Sequence, residues 1–450
     1  MRVHTIQGFF SALFLFAACD ALAQDPEIES LRTAIDELRT DYESRITELE
    51  RRLAVAEQNA SQANYASQQT AATAAPVSTA TSSASSAFNP AIGVIFEGFA
   101  WNDGSDPEPY VIPGFPLGGE AGSIQQGLSI GETEINISAN VDDKFTAWLT
   151  TPLVIEDGEA RIEIEEAWIE TTALAGGFAI KFGRFFSGIG YLNSRHAHTW
   201  DFADQPLPYQ AFLGNQYLDD GVQARWVAPT DLYVEFGAEI MQGSRYPAAG
   251  SGNSGVGVYS LFANVGGDIG ASSSWLAGLS YLDAAAVDRP SGAADDPFVF
   301  NGDSKLASAH FVWKWAPNGN WKQRNFVFQS EFLWRTEDGE YALSGSLPTP
   351  YLNDQRGWYL QAIYQPVPRW RVGGRIDGLS SDDPGPLYDG TLLAAPAGDP
   401  LRYSFMADWS NSEFSRLRLQ FTRDEAGIED DYEWGLQYIH SIGAHGAHAF

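Results

Sequence analysis

The sequence predicts an all-β chain, a 16-stranded antiparallel transmembrane β-barrel preceded by a short N-terminal coiled-coil helix. Three observations carry this expectation. From residue 91 onward, apolar residues alternate with polar ones in runs of about ten, the pattern of strands with one face in lipid and one in a lumen. The connections between these runs alternate short and long, the one-sided asymmetry of a membrane barrel. Hydrophobic residues make up 44% of the chain, yet the region beyond the leader has no apolar run of about 18 residues, so helical spans are excluded.

Residues 1–23 read as a secretory signal peptide. Arg2 precedes an apolar run over 8–18, and Ala21-Leu22-Ala23 supplies the small-residue cleavage site. A lipoprotein signal ending at Cys19 is the alternative. Cleavage after Ala23 removes the only cysteine, leaving no thiol for a disulfide or metal site.

Residues 24–57 read as a periplasmic coiled-coil helix. Ile28, Leu31, Ile35, Leu38 and Tyr42 follow 3-4 spacing, and Ile46, Leu49, Leu53 and Ala56 resume it after one shift. A lone amphipathic helix is the other reading. Residues 58–90 hold Ala, Ser, Thr and Gln without a charge and read as a disordered linker.

The barrel is expected over 91–450. Its strands fall near 91–101, 128–140, 143–153, 161–173, 177–186, 219–227, 231–241, 256–267, 273–282, 305–315, 324–336, 356–365, 369–378, 402–410, 414–423 and 433–443. Long connections are expected at 102–127, 187–218, 283–304, 337–355 and 379–401. An even strand count puts both barrel ends in the periplasm. Trp434, Leu436, Tyr438, Ile442 and the terminal Phe450 share one parity, and a final aromatic of this kind is expected to be read by the barrel-assembly machinery.

The connection over 187–218 stands apart. Structureless connections this long are uncommon in compact domains and usually functional. This one carries His196, His198, Asp201, Asp204, Pro206 and Pro208 among aromatics, and is expected to fold inward and narrow the lumen. His196, His198 and Asp201 are the candidate metal ligands, since imidazole and carboxylate suit zinc or copper; a structural histidine pair is the simpler alternative. No other cofactor is expected.

Parity assigns lumen-facing charges. Glu163, Glu165, Glu235 and Glu239 form an early acidic wall; Arg335 follows, and Arg369, Arg371, Arg375, Arg402, Arg416 and Arg418 form a late basic wall. Charge on the lipid face costs about 2–4 kcal/mol for Arg or Lys at the midplane, which favours the inward assignment. The pair Glu165-Glu166 reads as lumen lining beside a bulge. The net charge of −31 (27 − 58) argues against a nucleic-acid partner and suggests at most weak cation preference. H-E-x-x-H does not occur and no catalytic constellation stands out, so no enzymatic role is expected.

The stretches Gly183-Arg184-Phe185-Phe186, His196-Ala197-His198-Thr199-Trp200-Asp201-Phe202, Ala211-Phe212-Leu213-Gly214-Asn215-Gln216 and the run from Ser441 to His448 resemble the phosphate-selective-porin-like (porin O/P type) outer-membrane proteins. They are most similar to a branch often labelled zinc-regulated TonB-dependent outer membrane receptors. The resemblance covers roughly 91–450, with 183–226 its most specific part. It implies a porin-like trimer in the bacterial outer membrane, embedded in lipid and passing small hydrophilic solutes or ions. A zinc-linked uptake receptor and an envelope tether anchored by the barrel are the alternatives.

Overall fold

The computed structural model describes residues 90–104, 110–156, 159–249, 255–292, 298–342 and 347–443. The expected signal peptide, the coiled-coil helix, all but the last residue of the linker and Phe450 lie outside these residues.

Sixteen antiparallel strands close into one barrel. In order they are β1 (Ala91–Asn102), β2 (Gly127–Ile130 continued by Thr133–Asn140), β3 (Phe145–Glu156) and β4 (Glu159–Ile162 continued by Glu166–Thr171). Then come β5 (Phe178–Phe186), β6 (Leu218–Val227), β7 (Tyr233–Met241), β8 (Val258–Ile269), β9 (Ser273–Ser291) and β10 (Phe298–Trp315). The last six are β11 (Asn325–Ala342), β12 (Thr349–Val367), β13 (Trp370–Ser381), β14 (Leu401–Ser412), β15 (Ser415–Asp424) and β16 (Asp431–Gly443). Eighteen hydrogen-bonded stretches reduce to sixteen strands (18 − 2) because β2 and β4 are each interrupted once. Each strand pairs with its sequence neighbours, and β1 closes the ring on β16 from Gly93↔Gly443 to Asn102↔Trp434. Closure leaves no exposed sheet edge, which a lipid environment requires.

The alternation resolves into two surfaces. Outward positions carry exposed large apolar side chains, among them Phe178, Phe236, Leu261, Leu279, Phe311, Leu360, Phe405 and Leu419. Near the end where the turns are short, aromatics pair across strands on this outer face. Phe178 and Trp226 lie 6.1 Å apart, Trp226 and Phe236 6.0 Å, Trp313 and Phe326 5.6 Å, and Trp370 and Trp409 6.4 Å between ring centroids. This is an aromatic girdle of the kind that marks a membrane interface. Inward positions carry Gln, Glu, Arg, Ser and Thr, most of them buried.

Four central strands differ from expectation. β9 to β12 run 18 or 19 residues each, so the connections expected at 283–304 and 337–355 are largely strand. In the extension of β9, inward Leu282, Ala284 and Ala286 stay buried, while Asp283 and Asp288 occupy other positions. The ladder continues through a register shift between Ala286 and Arg289. The apolar rhythm stops where lipid contact stops, but hydrogen bonding does not.

Candidate functional site: the segment folded into the lumen

The connection between β5 and β6, residues 187–217, enters the barrel. It contains a 3-10 turn at Ala197–Thr199 and a short helix, α1, at Leu207–Leu213. Pro206 and Pro208 suit the helix start, where a missing N–H costs nothing. Gly214 ends the helix with φ of 61°, and a Cβ there would lie 2.6 Å from the carbonyl oxygen of Gly118.

Asn193 ties the neck of the segment. Its Nδ2 donates to the carbonyls of Ser187 (2.9 Å) and Tyr217 (2.7 Å), and its Oδ1 accepts from the Tyr217 N–H (2.7 Å). Ser187 and Gly188 donate to Glu239 on β7 at 2.5 and 2.8 Å. Phe262 lies flat against Gly188 and Gly237, where an added Cβ would come within 2.5 and 2.0 Å of its ring, so the segment enters over a wall kept thin by glycine.

α1 is seated by apolar burial. Leu207, Tyr209, Ala211, Phe212 and Leu213 are fully buried, in one cluster with inward Met241, Val258, Leu282, Leu306, Leu333 and Tyr359 and with Ile112, Phe115 and Leu117 from the connection after β1. Glu331 on β11 gathers the polar groups beneath. It accepts from the N–H of Tyr191 (2.9 Å) and Leu192 (3.2 Å), and from the hydroxyls of Tyr209 (2.9 Å) and Tyr359 (2.5 Å). Arg335 donates to the Ala211 carbonyl at 2.9 Å, near the helix C-terminus where a cation is favoured.

The tip of the segment meets the arginines of β13 to β15. Arg371 pairs with Asp201 (2.7 Å) and with Asp408 (2.5 Å). Asp204 is held by Arg375 at 2.6 Å and Arg402 at 2.9 Å, and accepts from Gln420 at 2.6 Å. Arg418 donates to the Trp200 carbonyl, and Leu207 N–H to Asp377 at 2.8 Å. Burial disfavours the charge on Asp204, but the two guanidiniums outweigh it and hold its carboxyl below the ordinary range. Asp377, Asp408 and Asp424 interleave with these arginines, so the wall is a set of pairs rather than a field of one sign.

On the opposite side the two histidines meet β2 and β4. His198 Nδ1 lies 2.8 Å from Glu134. His196 Nε2 lies 3.0 Å from Glu166, and its Nδ1 lies 3.3 Å from Glu165 and 3.6 Å from the second oxygen of Glu134. Glu165 and Glu166 straddle the interruption in β4, which turns both toward the segment. Burial opposes charge on His196, but its contacts with Glu165 and Glu166 and the charge of Glu134 prevail. The imidazole is held well above the ordinary histidine range.

Two of the expected site residues are corrected. Asp201 does not join the histidines: the turn at Ala197–Thr199 sends it to Arg371 on the far wall. Arg369 does not line the lumen: it is exposed in the two-residue turn between β12 and β13, with φ of 72° and the flanking pair Val367↔Trp370. Arg335, Arg375, Arg402, Arg418, Glu235 and Glu239 lie inside the barrel, buried, and Arg371, Arg416, Glu163 and Glu165 are half-buried. Glu134 and Asn193 escaped the sequence reading, and Glu331 was placed in the lumen by parity without a role. Glu331 was legible only as one of many inward positions, and Asn193 and Glu134 carry no local signal.

With this segment in place, inward side chains on opposite sides of the ring are nearly without solvent contact. Gln223 is 4% exposed, Gln361 3% and Gln420 1%. The segment therefore fills much of the lumen at the level of these side chains. Water still reaches the tip, where Arg371 is 23% and Asp201 22% exposed.

No model of a known protein family matches the chain. The outer-membrane channel DcaP of Acinetobacter baumannii superposes with a TM-score of 0.50 at 14% identity, covering 79% of this chain and 97% of that one. OmpTdeltaL8, a loop-deletion mutant of an outer membrane protein of Vibrio cholerae, gives 0.50 at 9% identity, covering 79% and 99%. Likeness at these identities is likeness of fold. An uncharacterised protein of Aquifex aeolicus (strain VF5) is 30% identical over 352 residues, 74% of this chain and 72% of that protein. The chain belongs to one family with that Aquifex aeolicus protein, and its fold is that of the bacterial outer-membrane barrels.

Proposed function

We propose that the protein is an outer-membrane channel for passive diffusion of small hydrophilic solutes or ions, closed by residues 187–217 and opened by movement of their tip. One observation carries this reading. Gln, Glu and Arg side chains from several strands of the inner wall bond to a single connection. A wall built for water is filled by a removable piece. The resemblance to phosphate-selective-porin-like proteins fits the same reading.

Magnitudes say which part moves. Burying each of Leu207, Tyr209, Phe212 and Leu213 stabilises the seat by about 1.5–3 kcal/mol, so withdrawing α1 would cost several times that. The tip over 195–205 buries Phe202 against Ile363 and Met406, but most of its contacts are ion pairs and hydrogen bonds to the wall that water in an opened lumen can replace, each contributing about 0.5–3 kcal/mol net. α1 is the anchor and the tip is the gate.

The test is solute flux into vesicles carrying the refolded protein, comparing the native chain with an Asp201→Asn/Asp204→Asn double variant. Faster entry of small sugars and ions through the variant is expected. If both preparations are impermeable while correctly folded, the channel reading falls.

A further inference from the structure

A ligand set has been assembled from three distant parts of the chain. Glu134 comes from β2, Glu165 from the interruption in β4, and His196 from the tip of the lumenal segment; one donor atom of each lies within 4.8 Å of the others. We propose that these three residues bind one divalent first-row cation, with zinc the best fit, which pins the gate to the barrel wall. The inference goes beyond the channel reading, because binding can be measured whether or not the barrel conducts.

Geometry is the first support. Zinc bonds to imidazole nitrogen and carboxylate oxygen at about 2.0–2.2 Å, so neighbouring ligands on a tetrahedron lie about 3.3–3.5 Å apart. His196 Nδ1 lies 3.3 Å from Glu165 Oε2 and 3.6 Å from Glu134 Oε2. Both His196 Nδ1 and Glu165 Oε2 are shielded from solvent and make no hydrogen bond, although they face each other. A cation between them would satisfy both, taking the place of a proton on Nδ1. Three protein ligands leave a fourth position for water.

The surrounding groups are the second support. A metal-bound histidine usually donates its other ring N–H to a carboxylate, which fixes the tautomer. Here Glu166 lies 3.0 Å from His196 Nε2, leaving the Nδ1 lone pair directed at the site. His198 Nδ1 engages Glu134 Oε1 at 2.8 Å, and Asn136 Nδ2 donates to Oε2 at 3.4 Å, so the ligating carboxylate is itself oriented. Three carboxylates facing two imidazoles also leave a charge excess that a dication reduces. His310, elsewhere on the inner wall, has no such carboxylate ring and is packed 5.7 Å from Tyr191.

The experiment is equilibrium dialysis of the refolded full-length protein against zinc alone, with bound metal measured directly, and Co(II) absorption as a second readout. One ion per chain is expected in the native protein and in His310→Ala. At least a tenfold loss of affinity is expected in His196→Ala and in the near-isosteric Glu165→Gln, with loss of tetrahedral Co(II) bands. Migration as a folded barrel before heating identifies variants that fail to fold, and Glu165→Gln keeps the test valid if His196→Ala does so. Absence of zinc binding, or binding unaffected by either substitution, overturns the proposal and leaves the cluster as a proton-held ion pair.

Discussion

At the scale of single residues, Asp204 is the side chain on which the gate most depends. It places one carboxylate between two almost fully buried guanidiniums, Arg375 and Arg402. Arg375 and Arg402 keep Asp377 and Asp424 as partners, so neutralising Asp204 removes charge-assisted hydrogen bonds at about 1.5–3 kcal/mol rather than stranding a buried charge. Asp204→Asn is therefore expected to shift the gate toward its open form by a factor on the order of 10 to 100, read as open probability in single-channel records. The neutral Asn keeps the size of the side chain, so the barrel itself should fold. The same residue sets an acid limit. Its carboxyl is lowered in the folded protein, so its contribution is complete above the ordinary aspartate value of 3.8 and is lost as pH falls through the lower folded value. The Asp204 latch should thus hold at pH 4 and release only in more acid solution. A pH titration of Asp204-dependent conductance checks this; release with a midpoint above 4 would contradict it.

At the scale of elements, the lumenal segment behaves as a loop closed at its neck. Asn193 makes three hydrogen bonds there and has no solvent contact. Asn193→Ala leaves two carbonyls and an N–H without this partner, at about 1–3 kcal/mol per unsatisfied buried group. The expected result is faster proteolysis within 187–217 at unchanged barrel stability; equal protection of native and variant would mean that α1 alone fixes the segment. Much of this element was legible from sequence. Its length, its prolines and its position after the fifth strand announced an inward fold. Its contacts were not, because they join residues 30 to 218 positions apart, as with His196 to Glu166 and Arg416 to the His198 carbonyl. The strands show the same division. Lipid-facing runs such as Phe326, Phe328 and Phe332 are written in period two, whereas the extensions of β9 to β12 are held by ladder bonds and by buried groups such as Arg289, which donates to Glu337 at 2.6 Å and to Tyr341 at 2.8 Å. Residues 283–304 contain Asp, Gly and Pro and no lipid-facing rhythm, so sequence alone reads them as loop.

At the scale of the whole molecule, a closed barrel with an apolar girdle encloses the lumenal segment. α1 and the connection after β1 share an apolar cluster that seals part of the lumen, and paired charges hold the tip beside it. Neither set of contacts includes a disulfide, since the only cysteine is Cys19. Several of the charges read from parity are paired in the barrel, Arg371 with Asp201 and Asp408, Arg375 and Arg402 with Asp204, and Glu235 with Arg225, which weakens any transverse field while the tip is in place. The measurement that tests this most directly is single-channel conductance of the refolded barrel, native against a variant in which residues 190–214 are replaced by a short Gly/Ser link. Long closures with brief openings in the native protein, and continuous ohmic conductance of larger amplitude in the variant, are the predicted result. Equal conductance in the two, with both barrels folded, would show that residues 187–217 do not gate the lumen and would contradict the account.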